Sequence, residues 1–237
     1  MEWTLVVPMW QEASRIETTV ARLADSKFAH PDIEVIFVDD GSDDGTAQIC
    51  EQSCARYELS AIVRRLSVNR GKGAAVRRGV LAARGRVVGF SDADLSCGPD
   101  DIEEVFAIVG HGDADVAVAS RTTHDTTIAQ HQPWARRFAG AAFNLELRAL
   151  GLTDLMDTQC GLKAFTASAA RLAFEPMVTE RFAFDVEVLA RCRARSLRIV
   201  EVPVTWTHVE ASRVAPVRDG LQMAVDAARI KWALRQK

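Results

Sequence analysis

No apolar run in this sequence approaches the roughly 18 residues that a membrane-crossing helix needs, so no such helix is expected. The first ten residues, MEWTLVVPMW, carry an acid at position 2 and no basic stretch, so a secretory leader is not expected either. Lysine is scarce: five Lys stand against 24 Arg, and the formal net charge is −3. Without a global basic field, nucleic acid is not expected as a partner. The five cysteines, Cys50, Cys54, Cys97, Cys160 and Cys192, are odd in number, scattered, and form no CxxC pair. They read as reduced thiols of a cytoplasmic protein. Cys50 and Cys54 have helical spacing, but no His or second pair accompanies them, so no metal site is expected there. Neither GxxxxGK[ST] nor GxGxxG occurs, which argues against a Walker A loop and a dehydrogenase fingerprint.

What is present is an ordinary globular composition, 48% hydrophobic and 26% charged over 237 residues, enough for one large α/β domain. The first half alternates between β-branched runs and helical periods. WTLVVPM (3–9), IEVIFVDD (33–40), LSAIVRRLSV (59–68), RVVGFSD (86–92) and ADVAVASR (114–121) read as strands. Helices are expected between them: one marked by Ile16, Val20 and Leu23, and others over 42–57, 71–85 and 99–110. That rhythm predicts βαβ units and a mainly parallel sheet. After 121 it breaks. Residues 122–134 read as a mobile loop, 134–150 and 182–195 as helices, 161–165 and 197–206 as strands, and the tail from about 216 as a final helix. No internal repeat or long linker divides the chain.

In an open parallel sheet, ligands bind beyond the carboxyl ends of the strands. Those ends carry Pro8, Trp10, Gln11 and Glu12; Asp39 and Asp40; Lys72 between Gly71 and Gly73; Asp92 and Asp94; and Arg121. Asp92 and Asp94 are spaced to converge on one hard cation such as Mg²⁺ or Mn²⁺, which is commonly held by one or two carboxylates plus substrate phosphates. They equally suit a solvated strand end with Asp94 capping the next turn. In VDDGSDDGT (38–46), an Asx-turn and helix cap account for Ser42, Asp43 and Asp44 but not for paired acids at the strand end. A Gly-Lys-Gly helix start favours anions, though such starts are common.

Together, VVPMWQE, VDDGSDDGT, RGKGAAVRRG and FSDADLS resemble family-2 glycosyltransferases of the GT-A fold, in that family's order and spacing. DTQCGLKAF (157–165), ERFAFDVEVLARC (180–192) and EVPVTWTHVEASRV (201–214) resemble its polyprenyl- or dolichyl-phosphate glucosyltransferase branch. The resemblance covers about residues 3–214. It implies a GT-A (Rossmann-like), mainly parallel sheet flanked by helices, with a smaller C-terminal acceptor-side part. Residues 1–121 would form the nucleotide-sugar half, 122–214 the acceptor-side half, and 215–237 an amphipathic helix. It implies metal-dependent, inverting transfer of a hexose, glucose by resemblance, from a nucleotide sugar such as UDP-glucose to a lipid phosphate. Pro8, Trp10, Glu12, Asp40, Lys72 and Asp92 would hold the nucleotide sugar. Asp92 and Asp94 would face Mg²⁺ or Mn²⁺. Arg121, Arg136, Arg137 and His208 would hold the acceptor phosphate. Asp157, Arg121 and Asp185 would stand nearest the chemistry, with Asp157 either a base or an orienter of an Arg. The alternative for Asp157 and Asp185 is structural pairing with Arg191 or Arg181. Trp10 departs from the usual Tyr or Phe, and Ser91 from the usual Met or Leu.

The tail places Val217, Leu221, Ala224, Val225, Ala228 and Trp232 on one stripe, with Lys231, Arg235 and Lys237 near its end. Such a helix suits a bilayer interface, giving a cytoplasmic protein at the inner membrane face, or packs on the domain or in a homo-oligomer. Transfer to a soluble or protein hydroxyl, and an inactive nucleotide-sugar-binding module, are the competing functions.

Overall fold

Strands β1 (Trp3–Met9) and β2 (Ile33–Asp39) are buried at every position, as mainly apolar runs in a covered parallel sheet should be, with the buried Thr4 hydroxyl donating to Glu34 at 2.8 Å. They pair in parallel, Trp3 opposite Ile33 through Met9 opposite Asp39. The computed structural model describes residues 1–121, 127–128, 143–207 and 216–235. Among these, β3 (Ala61–Arg65), β4 (Val87–Phe90), β5 (Val116–Ser120), β7 (Lys163–Thr166) and β8 (Ile199–Pro203) complete a sheet of order β3-β2-β1-β4-β7-β5-β8. Only β7 runs antiparallel to its neighbours, β4 and β5. The loop expected over 122–134 contains a two-residue strand, β6 (Thr127–Ile128), which pairs with β9 (Thr205–Trp206). Its backbone bonding is nonlocal, so the polar local sequence gave no sign of it.

Helices α1 (Ile16–Ala24), α2 (Thr46–Arg56) and α4 (Pro99–Gly110) cover one sheet face with Ile16, Val20, Leu23, Cys50, Ile102 and Phe106. Pro99 opens α4, and Gly98 N–H donates to the Asp101 carboxylate at 2.9 Å, a local stop-and-start signal. Helices α3 (Lys72–Val80), α6 (Ala167–Phe174) and α7 (Phe184–Ala194) cover the other face. Residues 143–149 form α5, which joins the C-terminal helix α8 (Pro216–Arg235) outside α7, around Leu147, Val186, Ala190, Ala227 and Ile230.

This outer layer corrects two expectations. In the helix read over 182–195, Phe182, Val186 and Leu189 mark one side as buried by sequence pattern, but every residue from Phe184 to Cys192 of α7 is buried because α7 lies between the sheet and α8. Helix α8 packs through Met223, Ala227, Ile230 and Leu234, whereas Val225, Ala228 and Trp232 of the expected stripe face outward. The side chains of Val217 and Leu221 lie outside the described residues.

Candidate active site

The sheet order reverses at β1: β2 and β3 extend to one side, β4 to the other. The crevice beyond β1 and β4 is therefore the topological switch point, where α/β folds bind ligands. The loop after β1 is tied to the loop after β2. Gln11 N–H donates to Ser42 Oγ (2.9 Å), Glu12 N–H to Thr46 Oγ1 (2.8 Å), and Ala13 N–H to Asp44 (3.1 Å). Pro8 is buried at the end of β1, Trp10 is 39% exposed, and buried Glu12 pairs with Arg15. Arg15 went unnoticed in the sequence. Its pKa is raised by the hydrogen bond to Glu12, against burial, with further help from Asp94 and Asp92. The loop after β1 thus brings a cation towards the paired acids.

Asp39 takes Ser42 and pairs with Arg65 at 3.3 Å. Asp40 accepts from Asn69 Nδ2 (2.9 Å), Arg70 N–H (2.8 Å) and Gly71 N–H (2.7 Å), so it organises the loop that opens α3. Burial still holds Asp40 above the usual carboxylate range, opposed by those amide donors. The glycines have a steric purpose. A side chain at Gly71 or Gly73 would press on the backbone of Thr179–Glu180, and one at Gly73 also on Phe184. Gly71 has φ +114°, a conformation that favours glycine. Close docking of α3 on the start of α7 therefore explains both positions, beside the anion reading that the sequence suggested.

That docking places Lys72 Nζ 2.5 Å from Asp92 Oδ1. Burial works against the Lys72 charge, but Asp92, Asp185 and Asp94 hold its pKa above the ordinary value. Burial likewise opposes the Asp92 charge, and Lys72, Lys163 and Arg121 more than offset it. Asp94 Oδ1 accepts from Ser96 N–H and Oγ, both at 2.9 Å, and its other oxygen has no hydrogen-bond partner among the described residues. Behind Asp92 lies Gly161, where a Cβ would overlap the carboxyl group.

Asp157 and Arg121 form a two-pronged pair: Nε to Oδ2 at 2.7 Å, Nη2 to Oδ1 at 2.9 Å, with Arg121 N–H also on Oδ2 at 3.0 Å. Arg121 lies 5.8 Å from the Trp206 ring, and its Nη1 has no hydrogen-bond partner among the described residues. Although burial disfavours its charge, Asp157 is held below the usual carboxylate range by Arg121. Glu201 of β8 fixes the preceding backbone by accepting from Met156 and Asp157 N–H groups. Asp185 is 4% exposed and accepts from Lys163 Nζ at 2.6 Å. The alternative of structural pairing with Arg191 or Arg181 is met by other partners: Asp157 orients Arg121 and Asp185 pairs with Lys163, while Arg191 pairs with Glu187. Lys163 and Glu201 were missed. Their one signal was a single charge inside each apolar strand. Arg136, Arg137 and His208 lie outside the described residues.

Four carboxylates, Asp92, Asp94, Asp157 and Asp185, are thus electrostatically coupled with Lys72, Lys163, Arg121 and Arg15 at one sheet edge. The family profile described as Glycosyl transferase family 2 matches residues 4–171. The chain is 31% identical to a dolichyl-phosphate beta-glucosyltransferase of Dictyostelium discoideum, over 97% of this chain and 73% of that protein. It is 32% identical to the dolichyl-phosphate beta-glucosyltransferase of Mus musculus, over 98% and 78%. Its fold superposes on glucosyl-3-phosphoglycerate synthase from Mycobacterium tuberculosis in complex with Mn²⁺, UDP and phosphoglyceric acid. That match has a TM-score of 0.70 and 20% identity, over 98% of this chain and 78% of that one. Sheet order, crevice and sequence kinship agree: the chain is a glycosyltransferase with the GT-A fold and belongs to glycosyl transferase family 2.

Proposed function

We propose that this enzyme transfers glucose, with inversion, from UDP-glucose to a polyprenyl or dolichyl phosphate, assisted by Mg²⁺ or Mn²⁺. The observation that carries the reading is the commitment of both acceptor-side acids. Asp157 is spent on Arg121 and Asp185 on Lys163, so neither stands ready as a general base. A hydroxyl acceptor needs such a base. A phosphate monoester does not, because its second pKa is about 6 and it arrives largely ionised at neutral pH. It needs cations for positioning. Arg121, held by Asp157 with Nη1 uncommitted among the described residues, suits that role; Arg136, Arg137 and His208 are proposed to join it. The relatives' names supply the glucose and the lipid phosphate.

On the donor side, Pro8, Trp10, Glu12 and Asp40 frame the nucleoside and Lys72 the phosphates. The site fits a divalent cation. Its coupled acids and bases balance in number, so an arriving diphosphate brings uncompensated negative charge. Asp94 has an oxygen to offer, with Asp92 beside it. When bound, the cation neutralises charge on the leaving diphosphate. Residues 1–121 then serve as the donor half and 122–214 as the acceptor half. The outward stripe of α8, with Trp232 66% exposed and Val225 49% exposed, suits the interface of the membrane that holds the lipid acceptor.

The test is UDP release from a panel of sugar nucleotides, with Mg²⁺ or Mn²⁺, with and without polyprenyl phosphate. Release from UDP-glucose that requires both lipid phosphate and metal supports the reading. Glycosylation of hydroxyl acceptors alone overturns it.

A further inference from the structure

Cys97 and Cys160 are 63 residues apart in the chain, yet their Sγ atoms lie 3.9 Å apart and both are buried. Neither has a part in the proposed transfer. Cys97 follows the turn that carries Asp92 and Asp94, and bridges to Trp206 through its backbone. Cys160 lies in the loop of Asp157, next to Gly161. The two sulfurs therefore touch where the donor-side turn meets the acceptor-side loop.

Neither segment has slack. Gly161 is flush against the Asp92 carboxyl group. The Cys160 carbonyl accepts from Lys163 Nζ at 2.7 Å, and Asp157 is held by Arg121 and Glu201. A disulfide requires sulfurs about 2.05 Å apart, so bonding closes a gap of roughly 1.9 Å between side chains of two packed segments. Displacements of about 1 Å in a catalytic site cost on the order of 10²-fold in rate.

We propose that Cys97 and Cys160 are a redox modification site, and that their disulfide disables the enzyme by displacing Asp92 and the Asp157 loop. With hydrogen peroxide as oxidant the step balances. One thiol gives up its proton, the thiolate attacks the peroxide, the O–O bond breaks, and a sulfenic acid and hydroxide form; the hydroxide takes up that proton and leaves as water. The second thiol displaces the sulfenic oxygen as another water, leaving the S–S bond. Either thiol can supply the first thiolate, since the two sulfurs share one contact in which either is the donor.

The experiment treats the full chain with hydrogen peroxide, then maps peptides without reduction and measures UDP release. The expected result is a Cys97–Cys160 linked peptide, with activity lowered about tenfold or more and restored by dithiothreitol. Cys97→Ala should keep its starting activity and lose less than about twofold on the same treatment, and Cys97→Ser should behave likewise. No linked peptide, or a Cys97→Ala enzyme as sensitive as the parent, overturns the proposal. The activity arm rests on the donor and acceptor proposed above, whereas the peptide map does not, so an error in the substrates is distinguishable from an error here.

Discussion

Replacing Lys163 by Met tests the buried charge pair beneath the site. Lys163 is fully buried in β7, and its Nζ holds Asp185 at 2.6 Å and the Cys160 carbonyl at 2.7 Å. Met keeps most of the stem volume and removes the charge and both hydrogen bonds. It leaves Asp185 buried without its direct partner, and removal of one member of a buried pair costs about 3–5 kcal/mol. Lys72 still favours the Asp185 charge, which points to the low end, near ~3 kcal/mol. At about 2–4 °C per kcal/mol for a chain of this size, the melting temperature falls by roughly 6–12 °C. The loss has a pH signature. Burial already holds the Asp185 pKa above the usual carboxylate range, opposed by Lys163 and Lys72. Without Lys163 it rises further, so the folded state binds the proton better than the unfolded state does. The deficit is then full above the folded pKa and shrinks as pH falls through it. Removing both charges, Lys163→Met with Asp185→Leu, returns stability to within about 1–2 kcal/mol of the parent. Urea unfolding between pH 8 and 5 reads all of this. A single-variant cost below about 1 kcal/mol, or a deficit that does not change with pH, refutes the reasoning.

Asp94→Asn keeps the Ser96 cap through its amide oxygen but weakens the proposed cation site. UDP release should fall about 10²-fold or more while the melting temperature moves by less than about 2 °C, which kinetics and calorimetry check together. Gly161→Ala pushes Asp92 off its position, and an order-of-magnitude or greater loss of kcat should accompany a native circular dichroism spectrum. For Asp157→Asn, the stability lost is fully present above the ordinary carboxylate value of about 3.9. It disappears as pH falls through the lowered folded pKa, so the gap from the parent should be constant from pH 7 to about 5 and close only in stronger acid. Val225→Ser with Trp232→Ser should cut flotation with anionic vesicles several-fold without changing UDP release from a detergent-dispersed acceptor. Unchanged flotation would remove α8 as a membrane contact.

The first half of the chain was legible because its signals are local. Strands rich in β-branched apolar residues read as buried, and the acids, glycines and lysine that follow them fall at one sheet edge by topology alone. Ser42 and Asp44 went further than the local turn and cap they resembled, since they and Thr46 also accept from the loop after β1. No local pattern could reveal that second use, which depends on two loops about 30 residues apart meeting at the switch point. The same holds for Arg15, whose partner Glu12 was visible but whose orientation towards Asp94 was not.

The second half of the chain was less legible because its logic is burial. Helix α7 shows no amphipathic contrast: acids and arginines are interspersed with apolar residues on a helix covered on both sides. Once α8 covers it, each charge must find a partner or be expelled. Glu187 takes Arg191 on its own helix, and also caps Val178 and Thr179. Asp185 reaches across to Lys163 on the antiparallel strand. That strand runs beside β4, so Lys163 lies in register with Phe90, two residues before Asp92. The buried pair is thereby tied to the acid that would face the donor. A read of α7 as a one-sided helix makes Asp185 a cleft residue open to substrate. Coverage on both sides makes it a support for Lys163, and through the shared charges of Lys72 and Asp92, for the donor site itself.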